Sequence, residues 1–300
     1  MATAVQNRRG IIAMLGAMAL FSVNDTFMKL ARETFPTGQA VALRTVFALI
    51  AGFAVIMILG DVRRLGMALR PLVLGRGLAE ALSALCFIWA LGQMPLGTIT
   101  AILMASPLLL VVLAVVLRLE VVGWRRAAAL AVGFAGVLIV ARPSGDGLGL
   151  AALVALGSAA LVAARELLTR QIGPSVPVTI VSFSTGIVVG IVSLGFGLFE
   201  EWVPTFRPQL LYLVMAAVLV TLGNFCIINA FRSTDIGVVS GYRYAVVVFA
   251  VTIGYIVWDE RPDAAALAGI ALIVGSGLYT LHRQRVRRDS NLKPEGEPPL

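Results

Sequence analysis

Residues 96–117 read LGTITAILMASPLLLVVLAVVL, a run of 22 residues without one charged side chain. A helix needs about 20 apolar residues to cross the hydrocarbon core of a bilayer, so this stretch predicts a transmembrane helix. Apolar runs of comparable length recur along the chain, separated by Pro, Gly or charged residues. The predicted spans are 11–31, 39–59, 71–91, 96–117, 126–140, 148–168, 178–198, 210–231, 237–257 and 264–281.

The overall composition agrees with a membrane protein. Hydrophobic residues make up 59% of the chain, charged residues 13%, and the mean hydropathy is +0.94. Soluble domains carry about 25% charged residues, and 300 residues this apolar cannot cover their own surface with polar groups. Ten spans and short loops use up the chain. We therefore predict an all-α integral membrane protein with no separate soluble domain.

Basic residues fall mainly on one side of these spans. With the N-terminus inside, the inner segments hold fifteen Lys and Arg residues and the outer loops hold four. Cytoplasmic loops carry such an excess, so both termini are predicted to be cytoplasmic and the net charge of +8 indicates topology, with no nucleic-acid partner. The inner set is Arg8, Arg9, Arg63, Arg64, Arg70, Arg118, Arg125, Arg126, Arg170, Arg232, Arg283, Arg285, Arg287, Arg288 and Lys293. The outer set is Arg32, Arg142, Arg207 and Arg261.

The two halves of the chain resemble each other weakly. LFSVNDTFMK (20–29) aligns with LVAARELLTR (161–170), which pairs Asp25 with Glu166, Lys29 with Arg170 and, further on, Pro36 with Pro177. These pairs are 141 positions apart. With the halves aligned at 140 positions instead, Cys86 pairs with Cys226, Gly97 with Gly237 and Glu120 with Glu260. Each half has an odd number of spans, so the second half enters the membrane from the opposite side. Secondary transporters are commonly built from such inverted repeats, with the substrate site between them.

We accordingly predict four segments. They are a cytoplasmic N-terminus at 1–10, a first five-helix repeat at 11–140, a second repeat at 148–281, and a basic tail at 282–300 that we expect to be disordered.

Longer patterns resemble a known family. FSVNDTFMKL (21–30), PTGQAVALRTVFAL (36–49), and the paired stretches ALGQMPLGTITAILMASPLLLVVLAVVLRLE (90–120) and NAFRSTDIGVVSGYRYAVVVFAVTIGYIVWDE (229–260) resemble the drug/metabolite transporter superfamily. The similarity is to its ten-helix, two-repeat EamA-type members. It implies a carrier in a bacterial inner membrane. The run of Asn24, Asp25, Lys29, Gln39 and Arg44 is also similar to bacterial riboflavin or S-adenosylmethionine uptake carriers, while other members export amino acids and metabolites.

Ionisable residues inside spans are costly next to lipid and commonly mark a pathway. Asp25 and Lys29 are four residues apart and share a helix face, with Asn24 beside them and Arg44 at a similar depth in the second span. We predict that these residues form an outer charged cluster on the substrate pathway. The alternative is that they only fix helix packing.

A second charged cluster is expected at the inner side. Glu166 and Arg170 are the repeat counterparts of Asp25 and Lys29, and Arg243 lies at a matching depth in the ninth span. We predict that they form an inner gate that opens when the outer cluster closes, with structural pairing again as the alternative.

Glu80 lies near the middle of the third span, four residues after Arg76. We predict that Glu80 binds substrate or carries a coupled proton. A self-contained Arg76–Glu80 pair is the alternative.

Polar and aromatic side chains complete the predicted pathway. Tyr244 and Trp89 could stack on a planar substrate, although such residues also anchor helices at the membrane interface. Asn224 adds a polar group to the eighth span, and Pro107 should kink the fourth.

Other classes of protein fit less well. The sequence has a single histidine, His282, and no grouping of His, Cys and carboxylates with metal-ligand spacing, so we expect neither an enzyme nor a cofactor or metal. A nucleotide-driven pump is excluded because GxxxxGK[ST] is absent. An ion channel stays a distant alternative, since no filter-like segment is visible. The expected partners are a small-molecule substrate, the lipid bilayer and a coupled proton.

Overall fold

The computed structural model describes residues 4–119, 123–141, 148–172, 175–232 and 239–291. This part of the chain is helical and contains no strand. Nine of its helical stretches are long and apolar enough to cross a membrane, and Ala127–Ala141 is a shorter apolar helix. The helices are α1 (Ala4–Arg32), α2 (Thr37–Leu59), α3 (Pro71–Leu91), α4 (Leu96–Leu103), α5 (Ser106–Val116), α6 (Trp124–Ala141), α7 (Leu148–Gln171), α8 (Val178–Gly197), α9 (Leu210–Arg232), α10 (Ala245–Trp258) and α11 (Ala264–Asn291), with 3₁₀ helices at Asp61–Leu69 and Ser240–Tyr244. The predicted all-α membrane fold of about ten helices is confirmed.

The fourth span is broken as the sequence predicts. α4 ends at Leu103 and α5 begins at Ser106, with Pro107 in the first turn of α5. Proline has no N–H to continue the helical hydrogen bonds, and its ring clashes with the carbonyl four residues earlier. The break therefore falls one turn before Pro107. The corresponding span of the second half is also irregular, because the 3₁₀ helix Ser240–Tyr244 precedes α10.

Helix packing follows the same pattern in both halves. α1 packs along α9, and the equivalent helices α7 and α3 pack along each other. α2 packs on its own counterpart α8, as α6 does on α11. The packing pattern is thus retained when the two halves are exchanged, which is the behaviour expected of a pseudo-twofold repeat.

Two polar contacts at opposite ends of the bundle repeat this symmetry. Glu200, in the segment after α8, accepts a hydrogen bond from the backbone N–H of Gly38 at the start of α2 (2.8 Å). Asp61, after α2, accepts one from the hydroxyl of Thr179 at the start of α8 (2.6 Å). We call the end containing Glu200 the Lys29 end and the end containing Asp61 the Arg170 end.

Both chain ends are more helical than predicted. α1 begins at Ala4, within the segment expected to precede the first span, and α11 continues to Asn291 through the first half of the expected disordered tail. Residues 282–291 contain no Pro or Gly, so nothing ends the helix where the apolar run stops. The remainder of the predicted tail, 292–300, lies outside the described residues.

Small residues allow α6 and α11 to approach closely. A Cβ atom added at Gly136 would lie 2.8 Å from the carbonyl oxygen of Gly269 and 2.9 Å from Cβ of Leu272. Contacts between small residues are a usual way to associate helices in lipid, where apolar side chains gain little by leaving the bilayer.

This contact gives a first prediction. Gly136→Leu should lower the free energy of unfolding by about 1–3 kcal/mol because the backbone of α11 blocks the new side chain. Thermal melting in detergent measures the loss. Gly157→Leu is the matched control, since no heavy atom lies within 4 Å of the added Cβ there. Equal melting temperatures for the two variants would contradict the close α6–α11 contact.

Candidate functional site

A central cavity of about 250 Å³ lies between the two halves of the bundle. Helices α1, α2 and α3 and the break between α4 and α5 form one side, and α7, α9 and the start of α10 form the other. Five charged side chains line it: Asp25, Glu80, Arg44, Arg165 and Arg243. A cavity between pseudo-symmetric halves, lined by both signs of charge, is the arrangement expected of a substrate site in the membrane.

Asn24 and Asp25 present hydrogen-bond acceptors on the cavity wall. The Asn24 amide donates to the Asp25 carboxylate (2.9 Å), which fixes which way the amide faces. Asn24 is only 4% exposed, and its Oδ1 has no hydrogen-bond partner. A buried amide oxygen without a donor is costly, so a substrate donor in the cavity would find both it and the carboxylate available.

Arg44 carries the opposite charge on the same wall. Its guanidinium is attracted by both Asp25 and Glu80. Within the described residues, however, Arg44 makes no hydrogen bond and no direct ion pair. The predicted grouping of Asn24, Asp25 and Arg44 around one space is therefore present, with Arg44 and Asp25 left unjoined.

Glu80 binds Arg165 rather than Arg76. The Arg165 guanidinium donates to the Glu80 carboxylate at 2.5 Å and lies 3.8 Å from Glu166, which in turn lies 3.6 Å from Arg243. These four side chains form an alternating row of charges from α3 through α7 to the 3₁₀ helix. Sequence reasoning did not predict Arg165 as the partner of Glu80, because the two residues lie on different helices and 85 positions apart.

Arg76 has other partners. It donates to the hydroxyls of Thr169 (2.9 Å) and Thr185 (2.5 Å), on α7 and α8. The alternative of a self-contained Arg76–Glu80 pair is therefore wrong, although both residues lie on one face of α3. Arg76 instead ties three helices together away from the cavity.

Lys29 lies one turn further along α1 than Asp25 and contacts two other parts of the bundle. It forms an ion pair with Glu260, donates to the carbonyl of Met94 (2.9 Å), and lies over the Trp258 ring, 4.7 Å from its centre. The other carboxylate oxygen of Glu260 accepts from the Leu96 N–H (2.7 Å) at the start of α4. Lys29 thus joins α1 to α4 and α10, whereas the sequence had grouped it with Asp25 and Arg44.

The turn after α10 positions Glu260. Asp259 has a left-handed backbone (φ 52°), and the Glu260 N–H bonds back to the carbonyl of Gly254 (3.1 Å). A left-handed residue directly after the last turn is a common way to end a helix. A Cβ at Gly254 would collide with the Glu260 carboxylate, so glycine is required for this approach.

α5 also ends at a residue with a left-handed backbone, at the Arg170 end. Arg118 has a left-handed backbone (φ 58°), and the Leu119 N–H bonds to the carbonyl of Ala114 (2.8 Å). The fourth spans of the two halves therefore both end at a left-handed residue, although the N–H that follows reaches back five residues in α5 and six in α10.

A vestibule of about 140 Å³ lies towards the Arg170 end. It shares Met104, Ser106 and Arg243 with the central cavity and is also lined by three predicted residues, Glu166, Arg170 and Tyr244. Glu166 pairs with Arg165 and Arg243, and Arg170 makes no ion pair within the described part of the chain. The structure therefore brings the predicted inner residues to one space without joining Arg170 to Glu166.

Two predicted pathway residues lie elsewhere. Asn224 is exposed on α9, whose inward side at Gly223 contacts Phe21. Trp89 is half-buried against the apolar core and does not line the cavity. Sequence alone did not fix the rotation of either side chain about its helix axis.

Some residues of the site were not predicted from the sequence. Ser83 on α3 and Ser158 on α7 line the cavity and hydrogen-bond to each other (3.0 Å). Single serines in apolar runs carry little signal. Glu260 was noted only as a repeat position, and its partnership with Lys29 spans 231 residues of sequence.

These features define a class of protein. Pseudo-symmetric halves around a charged cavity are typical of a secondary transporter.

Comparison with known proteins identifies the family. The profile of the EamA-like transporter family matches residues 8–142 and again residues 149–281. The chain therefore belongs to this family of the drug/metabolite transporter superfamily, as its sequence patterns predicted.

Named relatives are all transporters of small molecules. The pseudopaline exporter CntI of Pseudomonas aeruginosa is 26% identical, over 89% of this chain and 94% of its own. An S-adenosylmethionine uptake transporter of Rickettsia prowazekii is 23% identical (92% and 93%), and a riboflavin transporter of Rhizobium johnstonii is 28% identical (79% and 80%). A crystal structure with 18% identity covers 92% of this chain and 98% of its own with a TM-score of 0.64, which indicates a shared fold.

The partners of Glu80 can be tested with a double-mutant cycle. Glu80→Ala and Arg165→Ala should each destabilise the protein, and the double variant should lose less than the sum, by about 0.5–3 kcal/mol, because neither charge is left without its partner. Melting curves in detergent give the energies. Arg76→Ala combined with Glu80→Ala is the control and should be closer to additive. A larger coupling for Arg76 than for Arg165 would contradict the observed pairing.

Proposed function

We propose that this protein is a secondary-active transporter that moves a small polar or amphipathic metabolite across the bacterial inner membrane by alternating access, without altering it chemically. The observation that carries this proposal is the central cavity, which is lined by five charged side chains and shares part of its lining with a vestibule towards the Arg170 end. We infer that the Lys29–Glu260 pair closes the other end. A cavity of about 250 Å³ is smaller than the roughly 300–1,000 Å³ of drug-sized sites, which favours a small metabolite.

The orientation in the membrane follows from the basic residues. The Arg170 end carries most of the Lys and Arg residues outside the spans, and such an excess is typical of cytoplasmic loops. We therefore place the Arg170 end and both termini in the cytoplasm and the Lys29 end outside. In this orientation the structure is closed to the outside.

The Lys29–Glu260 pair is the proposed outer gate. Both side chains are largely buried, and each also binds backbone at the Met94–Leu96 turn. Breaking the pair would release α1 from the start of α4 and the end of α10 together. The predicted outer cluster is thus divided into a gate at Lys29 and a cavity wall at Asp25 and Arg44.

An inner gate is proposed from the repeat. Arg170 is the counterpart of Lys29, and Glu120 aligns with Glu260 in the sequence. In the structure, Leu119 follows the left-handed Arg118 as Glu260 follows the left-handed Asp259. The turns therefore relate Glu260 to Leu119, whereas the sequence alignment relates it to the next residue, Glu120, which lies outside the described residues. We propose that Arg170 and Glu120 pair when the outer gate is open.

A proton gradient is the proposed energy source, with Glu80 as the carrier. Protonation of Glu80 would release Arg165, whose next carboxylate is Glu166 at 3.8 Å. Proton binding in the cavity would then change the pairing of charges that line the vestibule.

Proton coupling can be tested by substitution of Glu80. Glu80→Gln cannot ionise, so it should abolish substrate accumulation driven by a pH gradient while leaving substrate exchange in place. Both are measured in proteoliposomes. Accumulation against a gradient by Glu80→Gln would exclude this role.

The substrate class is narrowed by the named relatives, which are transporters for pseudopaline, S-adenosylmethionine and riboflavin. Two alternatives from the sequence analysis are therefore proposed for this chain: a dedicated uptake carrier for riboflavin or S-adenosylmethionine, and an exporter of amino acids or related metabolites. Thermal stability of the purified protein against these compounds, amino acids and nucleosides tests them. A ligand at 100 times its dissociation constant should add about 2.7 kcal/mol to the stability of the folded state. Flux of the binding compound in proteoliposomes then tests transport, and binding without flux would contradict the proposed function.

The outer gate can be tested without a substrate. Ala84 lines the cavity, and Ala84→Cys in a chain whose Cys86 and Cys226 are replaced provides a single thiol. Lys29→Gln should raise the rate at which a membrane-impermeant maleimide added outside labels this thiol, by about tenfold or more, because a hydrogen-bonded charge contributes roughly 1.5–3 kcal/mol.

The matched control is another ion pair at the same end. Arg261 and Asp259 are exposed and 3.1 Å apart, so Arg261→Gln should leave the labelling rate unchanged. Equal labelling in the Lys29→Gln and parent proteins would show that the pair does not hold the gate closed.

A further inference from the structure

Two charges on the wall of the central cavity attract each other but have no direct ion pair with any side chain of the described part of the chain. Glu80 is held by Arg165, and Arg243 is paired with Glu166. Asp25 receives only the amide hydrogen bond from Asn24, and Arg44 makes no direct bond to any described residue. Asp25 and Arg44 are therefore the charges left for a ligand.

The Asp25 side of the wall is built for a hydrogen-bond donor. Asn24 is 96% buried, and its Oδ1 lies unpartnered beside the carboxylate with which its own amide bonds. Two acceptors, one of them anionic, match a primary ammonium group, which has three N–H donors and no acceptor.

The Arg44 side is built for an anion. A guanidinium offers five N–H donors in a planar fork that matches a carboxylate, and charge-assisted bonds of this kind are among the strongest in proteins. Asp25 and Glu80 attract Arg44 from the same cavity, so this carboxylate would bind close to the ammonium site.

From these two sides we propose that the transported substrate is a zwitterion carrying a primary ammonium and a carboxylate, as in an α-amino acid or a compound built on one. Asn24 and Asp25 bind the ammonium and Arg44 binds the carboxylate. This inference rests on the proposed transport function and names the substrate class of that same cavity. It favours an amino acid, or the amino-acid end of S-adenosylmethionine (which carries a further positive charge on its sulfonium), over uncharged riboflavin among the compounds considered above.

The two charges also explain how recognition avoids a large cost of desolvation. A zwitterion that enters the cavity adds no net charge to it. Each ionic group of the ligand loses water but gains a side chain of opposite charge. A ligand with only one of the two charges would leave Asp25 or Arg44 without a partner. Specificity follows from that penalty, since an unpaired buried charge is more costly than a missing apolar contact.

The test combines altered ligands with altered side chains. The probes are S-adenosylmethionine and a set of neutral α-amino acids, each compared with its N-acetyl form and its methyl ester, with riboflavin as the uncharged probe. Affinity for the purified full-length protein is measured by calorimetry. At least one zwitterion should bind, and its N-acetyl and ester forms should each bind about tenfold more weakly or worse.

The variants assign the two ends of the ligand. In Asp25→Asn the zwitterion should lose its advantage over the N-acetyl form but keep its advantage over the ester. In Arg44→Gln the pattern should be the opposite. These crossed losses cannot result from a general defect in folding, and the melting temperature of each variant without ligand provides a further check. Asn224→Ala, which removes a polar side chain exposed on α9 outside the cavity, is the matched control and should preserve both preferences.

Several results would overturn the proposal. They are the absence of binding by every zwitterion, equal affinity for the free and N-acetylated forms, and losses in the two variants that do not depend on which ligand charge is present. If riboflavin is transported while no zwitterion binds, the substrate class is wrong and the carrier function stands. If zwitterions bind with the crossed pattern but no flux occurs in proteoliposomes, the charge sites stand and the transport function fails.

Discussion

An ionised side chain in the hydrocarbon core of a membrane must meet an opposite charge or a ligand, because no water is there to solvate it. The organisation of this bundle follows from that constraint. Arg165, Glu80, Glu166 and Arg243 satisfy one another in a row across three elements. Lys29 and Glu260 satisfy each other at one end. The interior is therefore held by charges as well as by apolar packing, and charge pairs can exchange partners in a way that a packed apolar core cannot.

The inverted repeat supplies each element of this organisation twice. The Glu200–Gly38 contact at one end has its counterpart in Asp61–Thr179 at the other, and α5, like α10, ends at a left-handed residue. Among the described residues the two ends differ, since Lys29 is paired with Glu260 and Arg170 has no ion pair there. Two similar ends in different states are what alternating access requires, because the exchange of their states moves the opening from one side to the other.

Sequence reasoning predicted the features that depend on length and composition. The apolar runs predicted the spans, and Pro107 predicted the break in the fourth. The aligned charges predicted which residues of the two halves correspond. Sequence reasoning grouped Asn24, Asp25 and Arg44 because they lie at similar depths, and it treated Glu80 separately; the structure puts all four in the lining of one cavity.

The errors come from rotation and from distance along the chain. Asn224 has a plausible depth but faces outwards, since a helix in lipid has only a weak pattern to show which side is buried. Lys29 and Arg76 were assigned neighbours four residues away, where helical spacing made contact easy to propose. Their partners instead lie on other helices and are set by how α1 meets α10 and how α3 meets α7 and α8.

The most direct test of the account is the distance across each end of the bundle. Spin labels at Glu201 and Arg261 report the Lys29 end, and labels at Gln171 and His282 report the Arg170 end; all four positions are exposed. Alternating access predicts that Glu260→Gln lengthens the first distance and shortens the second in the same molecules. If the first distance lengthens while the second stays unchanged, or if neither responds, the two ends are not coupled and the account is wrong.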